Sequence, residues 1–254
     1  MKLTVLGSGT SVPHPRRSSP AFWLETHGGS ILLDCGPDAP HRMAQEGLDW
    51  PNLDVIWISH FHLDHFGGLV PFLFSIKWAP QTQSRTKLLR LIGPRGMNRL
   101  LENINEANNY RLFKQSFELV VNEVEQGEPF EILPGIPASA FKTKHNSESL
   151  AIRITDADGK TFVYTSDTGF THDLATFTHQ VDLLLLECSF VRNKPIETHL
   201  ELDDVIKIAE GSGAKRLVVT HLYPHWDEVD VVTTARALWP GAIVEAIDGL
   251  ELRI

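Results

Sequence analysis

Apolar and polar positions along this chain follow two periods in turn, and each switch between them marks the end of an element. Runs rich in β-branched, leucine and aromatic residues read as strands: Lys2 to Leu6, Val55 to Ile58, Lys87 to Ile92, Phe117 to Val124, Phe130 to Leu133, Ala138 to Lys142, Leu150 to Thr155, Thr161 to Thr165, Val181 to Leu186 and Leu217 to Thr220. Ala21 to Glu25 and Ser30 to Leu33 predict a hairpin turned by Thr26-His27-Gly28-Gly29. Helical spacing appears over Asp38 to Glu46, Gly67 to Trp78 with Pro71 in the first turn, Arg95 to Ala107 and Val229 to Leu238. A further helix follows His199 and runs to about Glu210, with Gly211 and Gly213 ending it. Apart from Asp182, Val181 to Leu186 is apolar, as a central parallel strand buried on both faces requires. Ala242 to Ala246 and Leu250 to Ile254 predict a closing hairpin-like pair. Strands alternating with helices place the chain in the α/β class. With no linker, low-complexity stretch or short repeat, one domain over residues 1–254 is expected.

Composition excludes several classes. No apolar run approaches the roughly 18 to 20 residues that a membrane span needs, and 42% hydrophobic with 22% charged residues is ordinary for a globular protein. The N-terminus enters a strand pattern directly, so a cytoplasmic protein is expected. Cys35 and Cys188 are too few for a disulfide framework and read as reduced core thiols. A net charge of −9 argues against generic adhesion to nucleic acid. From Lys77 to Arg99, however, six cations occur (Lys77, Arg85, Lys87, Arg90, Arg95, Arg99) with no Asp or Glu. Such a run is usually a solvated face; the alternative is a patch that binds phosphate. Gly7-Ser8-Gly9 opens a turn-rich loop without the glycine spacing of a dinucleotide site.

The chemistry concentrates in Ser59-His60-Phe61-His62-Leu63-Asp64-His65-Phe66-Gly67-Gly68, directly after the strand ending at Ile58. In an extended segment residues i and i+2 share a side, so His60 and His62 can face one ion while Asp64 and His65 turn toward a second. A lone core histidine is common, but three this close together would each need a buried partner. Further on, Lys142-Thr143-Lys144-His145, Thr165-Ser166-Asp167-Thr168-Gly169, Glu187-Cys188-Ser189 and Val219-Thr220-His221 also follow predicted strands. All these groups sit at strand C-terminal ends, where α/β proteins collect their function.

The pattern His-x-His-x-Asp-His after a hydrophobic strand resembles the signature of the metallo-β-lactamase-fold hydrolases. That resemblance covers nearly the whole chain and implies a four-layer αβ/βα sandwich of two mixed β-sheets flanked by helices. It implies two divalent ions, zinc first with manganese or iron as alternatives. One ion would rest on His60, His62 and His145, the other on Asp64, His65 and His221, with Asp167 bridging. Asp34, in Asp34-Cys35-Gly36, would support the metal loop without ligating.

A water bridging such ions loses a proton near neutral pH and attacks phosphorus or carbon. Asp64 is expected to accept a proton, and His199 to protonate the leaving group or stabilise the transition state, with Glu187 orienting it. The plain alternatives are a solvent-exposed helix-start histidine and an ordinary loop carboxylate.

Among branches, the chain looks most like the ribonuclease Z group and its phosphodiesterase cousins. The features are Gly-Ser-Gly-Thr-Ser-Val-Pro at Gly7 to Pro13, His145 ahead of Leu150-Ala151-Ile152-Arg153-Ile154, Glu187-Cys188-Ser189, and His199. Those tRNA-processing enzymes insert an arm between the third histidine motif and the bridging aspartate. Here His145 and Asp167 are 22 residues apart, so no arm fits. The expected substrate is therefore a phosphodiester, a small or cyclic molecule or RNA, with Arg17 a candidate for meeting its phosphate. The alternative function is a carbon-centred hydrolase of a lactone or thioester on the same dinuclear site. Relatives of this kind commonly dimerise, which makes a homodimer the assembly to test.

Overall fold

A computed structural model describes all 254 residues. The first sheet takes β1 (Lys2–Gly7), β2 (Ala21–Thr26), β3 (Gly29–Leu33), β4 (Val55–Trp57), β5 (Leu89–Pro94) and β6 (Leu119–Val124). The second takes β7 (Pro129–Leu133), β8 (Ile136–Lys142), β9 (Leu150–Thr155), β10 (Thr161–Tyr164), β11 (Leu183–Glu187), β12 (Leu217–Thr220) and β13 (Ile243–Glu245). The last strand, β14 (Glu251–Arg253), returns to β1, giving the orders β14-β1-β2-β3-β4-β5-β6 and β13-β12-β11-β10-β9-β8-β7. Helices α1 (Ala39–Gln45), α2 (Leu63–Phe66), α3 (Leu69–Ile76) and α4 (Met97–Ala107) belong to the first half, and α5 (His172–Phe177), α6 (Leu202–Ser212) and α7 (Val231–Arg236) to the second.

Side-chain alternation explains the layering. In β3, Ile31 and Leu33 enter the core between the sheets, whereas Leu32 joins the helix-side cluster with Met43, Leu69 and Leu101. In β11, Leu183 and Leu185 face inward, whereas Leu184 and Leu186 pack with Val205 and Ile208 of α6. A strand buried on both faces can hold apolar residues throughout, which is why β11 reads as an unbroken run. Each sheet mixes parallel and antiparallel pairs. The result is the expected four-layer αβ/βα sandwich.

Register then fixes the site. β10, β11 and β12 are parallel, with Tyr164 opposite Leu185 and Glu187 opposite Thr220, so Thr165–Asp167, Glu187 and His221 emerge side by side. β3 and β4 are parallel, with Leu33 opposite Trp57, which brings Asp34 beside Ser59. A bond from Leu150 N to Ser59 O (3.0 Å) ties the two sheets together at this end.

Several expectations need correction. The closing segments do not pair with each other: β13 extends β12 in parallel, while β14 lies antiparallel on β1 in the other sheet. Strand pattern marks a segment as extended but does not name its neighbour, and the turn through Gly249 (φ +89°) carries the chain from one sheet to the other. As expected, His199 lies ahead of α6, in a loop held by the Phe190–Glu201 bridge.

The run from Lys77 to Arg99 forms no continuous cationic face. Arg85 is buried and donates to the carbonyls of Pro51, Leu53, Lys87 and Leu88. Arg90 caps Glu131 and Ile132 carbonyls, Lys87 pairs with Asp54, and Arg95 with Glu125. Backbone carbonyls take up Arg85 and Arg90, and acidic partners distant in sequence take up Lys87 and Arg95.

Candidate metal centre

β4 ends at Trp57, and the chain passes through Ser59 and the buried His60 before His62 caps the one-turn helix α2 in an extended conformation (φ −63°, ψ 145°). That cap turns Asp64 and His65 inward and leaves Leu63 75% exposed. His145 arrives from the loop after β8, Asp167 after β10 and His221 after β12. All seven residues expected as ligands therefore converge.

They form two clusters joined by one carboxylate. His60, His62, His145 and Asp167 place one ligand atom each within 4.8 Å of the others, as do Asp64, His65 and His221. Asp167 Oδ1 lies 3.2 Å from His65 Nε2 and 3.3 Å from His221 Nε2; its Oδ2 lies 3.7 Å from His145 Nε2 and 3.9 Å from His60 Nε2. Asp64 Oδ2 stands 3.6 Å from His65 Nε2 and 3.5 Å from His221 Nε2. Tetrahedral zinc with bonds of about 2.0 Å has ligand-to-ligand edges of about 3.3 Å. These separations have that size.

Orphaned atoms support the same fit. His60 Nε2, His65 Nε2, Asp167 Oδ1 and His221 Nε2 are buried and make no hydrogen bond. Leaving a buried polar atom unpaired costs about 1–3 kcal/mol, and four such atoms facing one another across a small space are accounted for by a cation.

The opposite edge of each ring is anchored. Asp34 Oδ2 accepts from His65 Nδ1 (2.6 Å), Tyr164 Oη (2.7 Å) and Ser59 Oγ (2.8 Å), and its Oδ1 from Ser59 N (2.7 Å). With its proton on Nδ1, His65 presents the Nε2 lone pair to an ion. His60 Nδ1 meets Ser59 Oγ at 3.0 Å and Ser166 Oγ at 3.3 Å, and His145 Nδ1 donates to the Thr198 carbonyl at 3.1 Å. Asp34, Ser166 and His221 adopt positive φ (57°, 55° and 57°), a left-handed backbone that side chains other than glycine rarely take. Three such residues beside one site hold their side chains at angles an ordinary strand end would not give.

Electrostatics separate the roles. Burial holds the His60 and His145 rings well toward the neutral form, with neighbouring imidazoles adding to the effect. Burial alone would raise Asp167 and Asp64, but the surrounding imidazoles outweigh it and hold both carboxyls below the usual range. His65 goes the other way: Asp167 and Asp34 overcome burial and raise it.

His199 is 6% exposed, with Nε2 4.0 Å from Asp167 Oδ2 and Nδ1 2.9 Å from Glu187 Oε1. Burial opposes its charge, but Glu187 and Asp167 prevail and raise it to about 9. It reaches the same cavity as a candidate ligand with Asp167 and His221. Where that proton stays on Nε2, the ring is a competent acid.

Glu187 is the carboxylate that orders this side. Its Oε1 also accepts from Thr168 N (2.7 Å), and its Oε2 from Ser189 Oγ (2.6 Å) and Leu200 N (3.1 Å). Arg17, expected near a substrate phosphate, is engaged elsewhere. It donates to Glu245 (2.6 Å), Ala246 O (3.0 Å) and Ser8 Oγ (3.2 Å), so its charge is spent on clamping the β1 loop to β13. Sequence reasoning passed over Ser59, Tyr164, Ser166 and Ser189, whose hydroxyls fix the rings. Only their adjacency to strand-end motif residues could have pointed to them.

Known proteins align over this whole frame. Ribonuclease Z of Archaeoglobus fulgidus is 23% identical, the match covering 100% of this chain and 97% of that protein. The crystal structure of the metallo-β-lactamase-fold protein YhfI from Bacillus subtilis superposes with a TM-score of 0.82 at 23% identity, over 99% of this chain and 98% of that one. Human tRNase Z, short form, gives 0.78 at 21% identity, over 100% and 99%. The model of the family described as Anti-Pycsar protein Apyc1 matches residues 1–238. The chain belongs to that Apyc1 family, and its fold is that of the metallo-β-lactamase hydrolases.

Proposed function

We propose that this metal-dependent hydrolase cleaves phosphodiesters with two divalent ions, zinc foremost. His60, His62 and His145 would hold one, Asp64, His65 and His221 the other, and Asp167 would bridge them. The observation that carries the proposal is the division of the Asp167 carboxylate, Oδ1 toward His65 and His221, Oδ2 toward His60 and His145. Bound there, divalent ions bring the pKa of a coordinated water to about 7 and draw charge from a phosphoryl oxygen.

The chain's own groups do the rest. Asp64, ionised and at the edge of the cluster, accepts a proton from the attacking water. His199, protonated at neutral pH and fixed by Glu187, donates from Nε2 to the departing oxygen. Between His145 and Asp167 the chain is filled by β9, a turn and β10, which leaves no inserted arm to grip a folded RNA. A small or cyclic phosphodiester or a short single strand suits that better than a tRNA. Curated relatives named ribonuclease Z support phosphodiester chemistry. No helix is long and apolar enough to cross a membrane, and two buried free thiols suit a reducing cytoplasm. A homodimer is the assembly expected.

The test is turnover of bis(p-nitrophenyl) phosphate by zinc- or manganese-loaded protein. His199→Ala should lower it roughly 10²–10⁴-fold with metal content unchanged. Absent phosphodiester turnover alongside lactone or thioester hydrolysis indifferent to His199 would replace this proposal with the carbon-centred alternative.

A further inference from the structure

Around Ser189 two imidazoles and a carboxylate compete for a single hydroxyl. Ser189 Oγ lies 2.6 Å from Glu187 Oε2, 2.9 Å from His221 Nδ1 and 3.2 Å from His199 Nδ1, and the residue is fully buried. The two rings are stacked, their centroids 5.4 Å apart and their planes 12° from parallel, so both Nδ1 atoms reach the same oxygen.

Hydrogen counting resolves the arrangement. A serine hydroxyl has one hydrogen and two lone pairs, and a carboxylate only accepts. The short contact to Glu187 takes the serine's hydrogen, because a carboxylate is the strongest acceptor within reach. Ser189 is then an acceptor for everything else. His221 must donate from Nδ1, which leaves Nε2 bare and aimed at Asp64 and Asp167. His199 Nδ1–H goes chiefly to Glu187 Oε1 at 2.9 Å, with Ser189 as a weaker second acceptor.

On this basis, and resting on the dinuclear reading above, we infer that Ser189 is a positioning residue that selects the ligating tautomer of His221. It also ties that choice to the carboxylate ordering His199. The backbone of His221 cannot make the selection by itself: at φ +57° it points the ring, but both tautomers fit the same ring plane. Without the Ser189 oxygen nothing else hydrogen-bonded to His221 Nδ1 would specify where its proton sits. Partners of this kind typically change metal affinity 10–100-fold when removed.

The effect should be confined to one ion, since His221 belongs to the cluster with Asp64 and His65 and not to that of His60, His62 and His145. Ser189→Ala removes the oxygen with little change of shape. The experiment titrates zinc into metal-free wild-type and Ser189→Ala protein, with ¹⁵N-histidine NMR of each and melting of the metal-free forms. Expected are two equivalents in the wild type, and in the variant one equivalent weakened at least ten-fold with the other within about two-fold. The His221 Nδ1–H signal of the wild type should give way to a mixture of tautomers, with metal-free melting lowered only by the few degrees that the loss of one buried hydrogen-bonding oxygen costs.

Unchanged affinity for both equivalents, or an Nδ1–H tautomer that persists in the variant, overturns the inference. Equal weakening of both equivalents with a melting temperature lowered well beyond those few degrees overturns it too, because that is general structural damage. A wild type that never takes a second zinc sinks the dinuclear reading itself, an outcome distinct from these.

Discussion

Glu187 Oε1 and His199 Nδ1 lie 2.9 Å apart, and through that bond one buried carboxylate decides what the other edge of the imidazole does. With Nδ1–H committed to Glu187, His199 turns Nε2 toward Asp167 Oδ2 at 4.0 Å. The pairing raises the ring to about 9. A raised histidine contributes its stabilising charge fully below its ordinary value of about 6.5 and loses it as pH rises through about 9.

The pH profile of kcat should therefore fall on its alkaline side near pH 9 in the wild type. Removing the charge with Glu187→Gln should bring that limb down toward about 6.5 to 7, with a loss of roughly 10- to 30-fold at pH 8 from the smaller protonated fraction. Stopped-assay turnover of bis(p-nitrophenyl) phosphate from pH 6 to 10 reads both. An alkaline limb at the same place in the two proteins would remove His199 as the acid.

Asp167 faces both clusters, so its loss should be felt by both ions, whereas His62 touches only one. Asp167→Ala is expected to drop zinc content from two to below one per chain, and His62→Ala to about one. Elemental analysis after dialysis against submicromolar zinc distinguishes them; equal losses would contradict the bridging geometry.

Asp34 belongs to neither ligand cluster but takes four hydrogen bonds, one of them from His65. Asp34→Asn puts an amide where a four-fold acceptor stood, and zinc affinity should fall about 10–100-fold. A competitive chelator titration measures it, and an affinity within two-fold of the wild type would show that His65 needs no such anchor.

The Leu185 side chain is fully buried in the core between the sheets. Leu185→Ala should cost about 2–5 kcal/mol in urea unfolding. Turnover per zinc-loaded chain should stay within about two-fold, because the ligand loops are held by their own hydrogen bonds.

Asp182 accepts from Thr161 N (2.8 Å), Lys215 Nζ (2.8 Å) and Lys160 Nζ (3.3 Å), pinning β10 to the strands after it. Burial works against its charge, but those donors hold its carboxyl well below the usual range. Its contribution is complete above about pH 4 and fades as pH falls through the lowered value. Asp182→Asn should cost about 1 kcal/mol at pH 7, solvent screening keeping it modest, with the difference shrinking below pH 4. Paired urea melts at pH 7 and 3 test the sign.

How much of this the sequence disclosed follows from where the information sits. His60 to His65 is a dense local motif, and Asp167, Glu187 and His221 each close a strand whose apolar run is unmistakable, so one-dimensional reading reaches them. The alternation of strands and helices is legible because their periods differ, whereas the four-layer frame followed from the resemblance to the metallo-β-lactamase hydrolases. Pairing is not local: nothing within Ala242 to Ile254 says that β13 and β14 join different sheets. Arg17 and Arg85 resembled available cations because Glu245 and the capped carbonyls are tens or hundreds of residues away. Ser189 and Tyr164 stayed hidden because a hydroxyl gains its role only from the neighbours that folding supplies.

An anomalous difference map collected at the zinc edge from zinc-loaded crystals bears most directly on the whole scheme. Two peaks are predicted in each chain, one among His60, His62 and His145 and one among Asp64, His65 and His221, with the Asp167 carboxylate between them. A single peak, or none at these side chains under full zinc loading, would contradict it.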